Sequence, residues 1–282
     1  MSKELKADFD YCRKVIKTNS TNFYRAFSKM DTEKANAVFA IYTFCRKIDD
    51  ITDDAELTIA EKKARLLMWE NILKNRAAYT EIAGVQALDA TISAYRIDVD
   101  LLQEQIVGQR MDLDFEQPSD MERFLEYCYF VAGNLGLILL PIISVQDQQV
   151  WRKACVELGI AMQITNILRD IGEDYQQYKR IYLPKSIMTR FGYSEAEIAA
   201  QEINGNFVAL WEHLAEEADQ RYAFFERERH NLEQTVEVSV LFAARSYNEI
   251  LNSVRNNDYD CFTKRGYVSK LKAREIYRQL IG

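Results

Sequence analysis

Residues 158–174 read LGIAMQITNILRDIGED. Gln163, Asn166, Asp170 and Asp174 stand 3, 4 and 4 apart, which places them on one stripe of an α-helix. Leu158, Ile160, Ile164, Ile167 and Leu168 make most of the rest apolar. Amides and carboxylates on a helix that is otherwise built for a core need partners if they are buried. All-oxygen donors suit a hard cation such as Mg²⁺, which usually takes one or two carboxylates and completes its shell with phosphate oxygens and water.

A second stripe lies upstream, in YTFCRKIDDITDD at 42–54. Tyr42, Arg46, Asp49 and Asp53 are spaced 4, 3 and 4 apart, again one helical face. Carboxylates at i and i+4 repel, and a divalent cation between them removes that penalty. Taken alone, this stripe fits a solvated face with Arg46 paired to Asp49 or Asp50 as well as it fits a metal site. The helix with Gln163 and Asn166 in register shifts the balance toward two facing stripes that hold Mg²⁺ against a diphosphate. Arg46, Arg169, Lys179 and Arg180 stand nearby, though an ordinary surface cation is the better reading of Lys179. The run Asn19-Ser20-Thr21-Asn22 fits a helix cap or turn and fits a phosphate-binding segment equally well.

The remaining sequence reads as helix. Only 3 prolines and 10 glycines punctuate 282 residues, too few for a turn-rich sheet protein. Asp31 stands where it would N-cap the helix that carries the first acidic stripe. Thr58/Glu61, Ser119/Glu122 and Ser194/Glu197 have capping-box spacing. Pro141 and Pro184 are expected to end helices. Apolar periodicity predicts about eight to ten helices around one core, in a single domain over 1–282. Residues 127–143, YCYFVAGNLGLILLPII, are almost wholly apolar but short for a bilayer span, so a core helix is the preferred reading.

The net charge of −7 gives no general attraction for nucleic acid, so none is expected as a partner. Five scattered cysteines and two distant histidines make a disulfide framework or a zinc site a poor fit. Both chain ends are polar, without a visible signal or anchor. The expectation is a cytoplasmic protein with no transmembrane segment. Peripheral membrane contact and oligomeric state are left open.

Together with NSTNFYRAF at 19–27, YCYFVAGNLG at 127–136, QITNILRDIGEDYQQYKRIYLP at 163–184 and AARSYNEIL at 243–251, the two acidic motifs resemble the squalene/phytoene synthases. Within that family the pattern looks most like the bacterial dehydrosqualene (4,4′-diapophytoene) synthases. The resemblance implies an all-α isoprenoid-synthase fold with a central active-site cavity. It implies Mg²⁺ as the cofactor, held by Asp49, Asp53, Asn166, Asp170 and Asp174, with those aspartates and Tyr127 in catalysis. It implies substrate contacts from Asn19, Ser20, Thr21, Asn22, Tyr42, Arg46, Gln163, Arg169, Arg180, Tyr182, Tyr247 and Arg265.

The implied reaction joins two farnesyl diphosphates head to head through a cyclopropyl diphosphate. Reduction to squalene would need NADPH, and no GxGxxG motif is present. Phe23, Phe27, Phe39, Val131, Ala132, Leu135 and Gly136 are candidate walls of the apolar cavity, with Phe27 and Phe39 placed to limit chain length. Gly133 and Gly136 would admit either a prenyl chain or a neighbouring helix. The competing readings are a phytoene synthase using C20 substrates, a squalene synthase, a terpene cyclase or head-to-tail elongating synthase, and a non-catalytic helical module whose acidic stripes are surface ion-pair networks.

Overall fold

The computed structural model describes residues 2–281. Its elements run α1 (Lys3–Asn19), α2 (Thr21–Phe27), α3 (Thr32–Asp53), α4 (Ile59–Lys74), α5 (Val85–Tyr95), α6 (Val99–Leu113), α7 (Met121–Cys128), α8 (Leu135–Ile143), α9 (Gln149–Tyr178), α10 (Lys185–Phe191), α11 (Glu195–Ala199), α12 (Gly205–Glu228), α13 (Gln234–Arg255) and α14 (Lys270–Ile281). No strand occurs among the described residues. The all-α expectation holds. The helix number exceeds the predicted range because short helices such as α2, α10 and α11 show too few turns to register as a periodic pattern.

The 30-residue α9 is the axis of the structure, with α7, α8, α11, α12 and α13 packed around it. A second assembly forms around α3, which packs on α1, α4, α5, α6 and α8. Each has its own apolar core, and the partly buried Leu158 and Met162 of α9 touch both.

The helix ends refine the sequence reading. The capping boxes at Thr58/Glu61 and Ser194/Glu197 form as predicted. Asp31 occupies the N-cap position of α3 but its side chain makes no cap bond. At α7 the cap is Asp120 and not Ser119. The Asp120 carboxylate accepts from Arg123 N at 3.0 Å, and Ser119 Oγ donates to Asp120 at 2.8 Å. A carboxylate also interacts with the positive end of the helix, an advantage a hydroxyl lacks. Pro141 lies inside the last turn of α8 and does not end it. It forfeits only its own N–H bond, and the next turn still closes through Ser144 N on Leu140 O at 2.9 Å. Pro184 begins α10, because α9 has already stopped at Lys179, whose φ of 55° is left-handed.

The apolar segment 121–143 is long and apolar enough to cross a membrane by composition. In the fold it is broken by a π-helical turn at Tyr129–Gly133 and packs against α6 and α9. Its Asn134 has no exposed area and bonds to Gln105 and to Leu101 O, so the segment is part of the core. Gly136 serves helix packing: a Cβ there would overlap the Cys155 carbonyl of α9. A Cβ on Gly133 would press on Ile160 Cγ1 at 3.0 Å, so the neighbouring helix is also what lies against that glycine. Gly136→Ala should therefore destabilise the fold by about 2–3 kcal/mol, as overpacking against backbone does. Urea unfolding reads this directly, and an unchanged midpoint would remove Gly136 from the packing argument.

Candidate functional site

The C-terminal turns of α3 carry Tyr42, Arg46, Asp49 and Asp53 on one face. Arg46 pairs with both Asp49, at 3.3 Å, and Asp50, while its buried Nε finds no partner. The Asp49 side chain keeps 42% of its accessible area. The end of α3 is tied to α6 by Thr52 Oγ1 donating to Gln109 Oε1 at 2.8 Å.

The opposite wall is α9. Asp170 is only 14% exposed and is gripped by the Arg169 guanidinium, with Arg169 Nε donating at 2.7 Å. Arg265 reaches Asp170 at 3.3 Å and Glu173 at 2.8 Å. One turn back, Asn166 Nδ2 donates weakly to Gln163 Oε1 at 3.4 Å, and Asn166 Oδ1 is buried with no partner. An unfilled buried acceptor costs free energy in the fold. In register with two carboxylates it fits an oxygen donor for a hard cation. Among the described residues no three acidic, His or Cys side chains converge closely enough to hold an ion by themselves. Any Mg²⁺ here would complete its coordination with substrate oxygens and water.

Between the two walls stands a residue that the sequence reading passed over. Asp112, at the end of α6, accepts from Tyr182 OH at 2.9 Å and from Tyr127 OH at 3.2 Å. Arg180 donates to its backbone carbonyl at 2.8 Å and lies 3.9 Å from its carboxylate. Tyr127, predicted for catalysis, and Arg180 and Tyr182, predicted for substrate contact, are thus gathered by one carboxylate. Gln105, Gln109 and Asp112 repeat the 4 and 3 spacing of the acidic stripes, and that polar register was the available signal.

Other predicted residues fall around this centre. Tyr247 on α13 lies near Arg169, whose charge opposes the upward shift that burial gives the phenol, and stacks on Phe23 of α2 with ring centroids 5.1 Å apart. Phe23 also meets Tyr42 edge-on at 6.4 Å. These contacts bring the start of α2, with Ser20, Thr21 and Asn22, toward the arginine side. Asn19 is exposed and donates back to Val15 O of its own helix at 2.9 Å. Phe39 is 1% exposed and packs on Tyr24 and Arg13, so it lines no open space. Phe23, Val131, Ala132 and Leu135 are half-buried, as a wall would be.

The carboxylates raise one another's proton affinity. Burial, then the neighbouring Asp53, lifts Asp49 to about 7. Burial, then Asp170, lifts Asp174 to about 8. Asp53 and Asp112 shift upward through burial, opposed by Arg180. The charges of Asp53, Asp49 and Asp174 all act on or from Asp112, so Asp112 lies near both stripes.

A sequence profile of the squalene/phytoene synthases matches residues 16–272. The chain belongs to this family. It is 31% identical over 280 residues to the 4,4′-diapophytoene synthase of Staphylococcus haemolyticus, covering 98% of this chain and 97% of that one. It is 31% identical over 274 residues to a chloroplastic phytoene synthase of an Oncidium hybrid, covering 94% of this chain and 65% of that longer one. The chain thus spans a little under two thirds of the plant relative. A solved dehydrosqualene synthase superposes with a TM-score of 0.91 at 35% identity, covering 99% of this chain and 96% of that one.

In this squalene/phytoene synthase chain the second stripe is clamped from outside its own helix. Gly172 N donates to Cys261 O at 3.2 Å, and Trp211 Nε1 donates to Leu168 O at 3.1 Å. The loop that delivers Cys261 holds Asp258 and Tyr259 at φ 61° each, a left-handed pair without glycine. Such residues cost roughly 1 kcal/mol or more each, and surrounding contacts must over-determine them. Tyr259 OH on Glu212 at 2.7 Å and Tyr259 N on Val254 O at 2.9 Å do so. A Cβ at Gly172 would lie 2.5 Å from Phe262 Cα.

Two outcomes test this geometry. Gly172→Ala should push the Cys261 loop off α9, lowering stability by about 2 kcal/mol and turnover by roughly tenfold or more through the displaced Asp170 turn. Wild-type turnover would show that the clamp does not set the stripe. Separately, a carboxyl that binds its proton more tightly folded than unfolded favours the fold below its unfolded pKa. That contribution fades as pH rises through the folded value. For Asp174 the window runs from 3.8 to about 8. In metal-free protein, the Tm advantage of Asp174→Asn over wild type should grow from pH 5 to pH 8 and then level off. A gap independent of pH would contradict the raised pKa.

Proposed function

We propose that this chain condenses two farnesyl diphosphates head to head, through presqualene diphosphate, to dehydrosqualene (4,4′-diapophytoene) in C30 carotenoid biosynthesis. The observation that supports the proposal is that Asp112 lies close enough to Asp49 and Asp53 on one stripe and to Asp174 on the other for their charges to act on one another. The 35% identity to a dehydrosqualene synthase supports the C15 substrate. The phytoene synthase relative at 31% identity supports geranylgeranyl diphosphate as the competing substrate.

Mg²⁺, when bound by Asp49, Asp53, Asn166, Asp170 and Asp174, would neutralise charge on the departing diphosphate. Arg46, Arg169, Arg180 and Arg265 supply donors to the same group, and Arg46 Nε is already without a partner. Tyr42 and Tyr247 flank it. Gln163 and the Asn19–Asn22 segment are assigned to substrate contact on the family resemblance. Phe23, Val131, Leu135, Leu158 and Met162 form the apolar side and exclude water from the allylic cation. Burial, then the Asp112 charge, holds the Tyr127 phenol well above its usual pKa. Tyr127 therefore acts as a hydrogen-bond donor and orienting group, and released diphosphate is the better base for the final proton.

Incubation of the protein with Mg²⁺ and farnesyl diphosphate, without NADPH, should give a C30 product with triene absorption. Asp170→Asn should lower the rate by roughly 100-fold or more with helical circular dichroism retained. Faster turnover of geranylgeranyl diphosphate would move the assignment to phytoene, and squalene formed only with NADPH would move it to squalene synthase. Metal-independent binding with no product would leave a helical binding module.

A further inference from the structure

Charge is segregated along this chain. Residues 264–282 hold six Lys and Arg against the single carboxylate of Glu275, in a molecule whose net charge is −7. The segment begins at the site: Arg265 touches Asp170 and Glu173. It continues into α14, which lies on α13 through the buried Ile276 and the partly buried Ala273, Tyr277 and Leu280. Tyr277 meets Phe242 edge-on at 5.9 Å.

The opposite face of α14 has a different composition. At about 100° per residue, Lys270, Arg274 and Arg278 form one stripe, with Leu271 and Ile281 within the same arc. Among the described residues none of these three cations has a carboxylate within ion-pair distance, whereas Lys272 pairs with Glu275 at 3.3 Å. Leu271 is 76% exposed, Ile281 57%, and Tyr267 at the approach to the helix 71%. Scattered exposed apolar residues are ordinary. Elsewhere among the described residues Val145 at 82% and Ile59 at 57% are as exposed, so the informative point is that three such residues coincide with the basic stripe.

Unpaired cations interleaved with exposed aliphatic and aromatic side chains match an anionic bilayer, where ammonium and guanidinium groups meet headgroups and the apolar groups enter the acyl boundary. Nucleic acid would use the cations but leave Leu271 and Ile281 without a role. We propose that the outward face of α14, with Tyr267, docks on an anionic membrane surface and sets the Arg265–Asp170 side of the site beside the lipid. The acidic remainder of the molecule is repelled by the same surface, so a single orientation is favoured.

The test uses the full-length protein without substrate or Mg²⁺, so its result is independent of the catalytic reading. Co-sedimentation compares vesicles of phosphatidylcholine alone with vesicles carrying about one third phosphatidylserine. Binding is expected on the anionic vesicles only, weakening as salt is raised. Each cation lost should weaken it about fivefold, so Lys270→Ala/Arg274→Ala/Arg278→Ala should lose roughly 100-fold. Leu271→Ser alone should lose about tenfold. Both variants should keep wild-type circular dichroism, because the altered side chains face outward. Absence of binding, equal binding to neutral vesicles, or wild-type binding by the triple variant would each overturn the proposal.

Discussion

The structure depends on keeping carboxylates together that would separate if they were free to do so. Asp49, Asp53 and Asp174 lie near Asp112, and burial and mutual repulsion push the proton affinity of each upward. Such an arrangement destabilises the fold at neutral pH unless charge is supplied from elsewhere. Four arginines do part of this from the protein side, Arg46 and Arg180 beside the α3 and α6 groups, Arg169 and Arg265 on Asp170. Arg46 Nε and Asn166 Oδ1 remain as a donor and an acceptor with nothing to bind. A site with both left over is suited to a ligand that is itself anionic and accompanied by a cation.

Holding these groups against repulsion requires a rigid frame, and the frame is close helix packing. Backbone meets backbone at Gly136 against α9, and at Gly172 against the Cys261 loop. Interiors at crystal-like density transmit displacement instead of absorbing it. The left-handed pair Asp258–Tyr259 fits the same logic, since strain there is tolerated only because it delivers the loop to the turn that carries Asp170. The same loop runs on to Arg265 and then to the basic outer face of α14, so the second acidic stripe, its arginine and the proposed membrane face share one stretch of chain.

Much of the site was legible because helical periodicity is local. Tyr42, Arg46, Asp49 and Asp53 had to share a face, as did Gln163, Asn166, Asp170 and Asp174, once those segments were helices. The capping boxes at Thr58 and Ser194 were legible for the same reason. Asp112 was missed because its importance lies in partners 15 and 70 residues away, Tyr127 and Tyr182. Ser119 lost the α7 cap to its neighbour because Asp and Ser are both good N-cap residues, and only geometry chooses between them. Phe39 read as a cavity wall because exposure within an apolar helix has no sequence signature.

By itself, the sequence determined that the chain is helical, that it carries two polar stripes of defined register, and that these stripes are chemically fit for a cation and an anion. Those are consequences of 3.6 residues per turn and of side-chain chemistry, and both act within a few residues. Only the tertiary structure decided that Asp112 lies near both stripes, and that glycines at 136 and 172 receive backbone and not substrate. Those facts depend on contacts between segments far apart in sequence, where packing density and the shape of neighbouring helices choose among arrangements that local preference leaves equal.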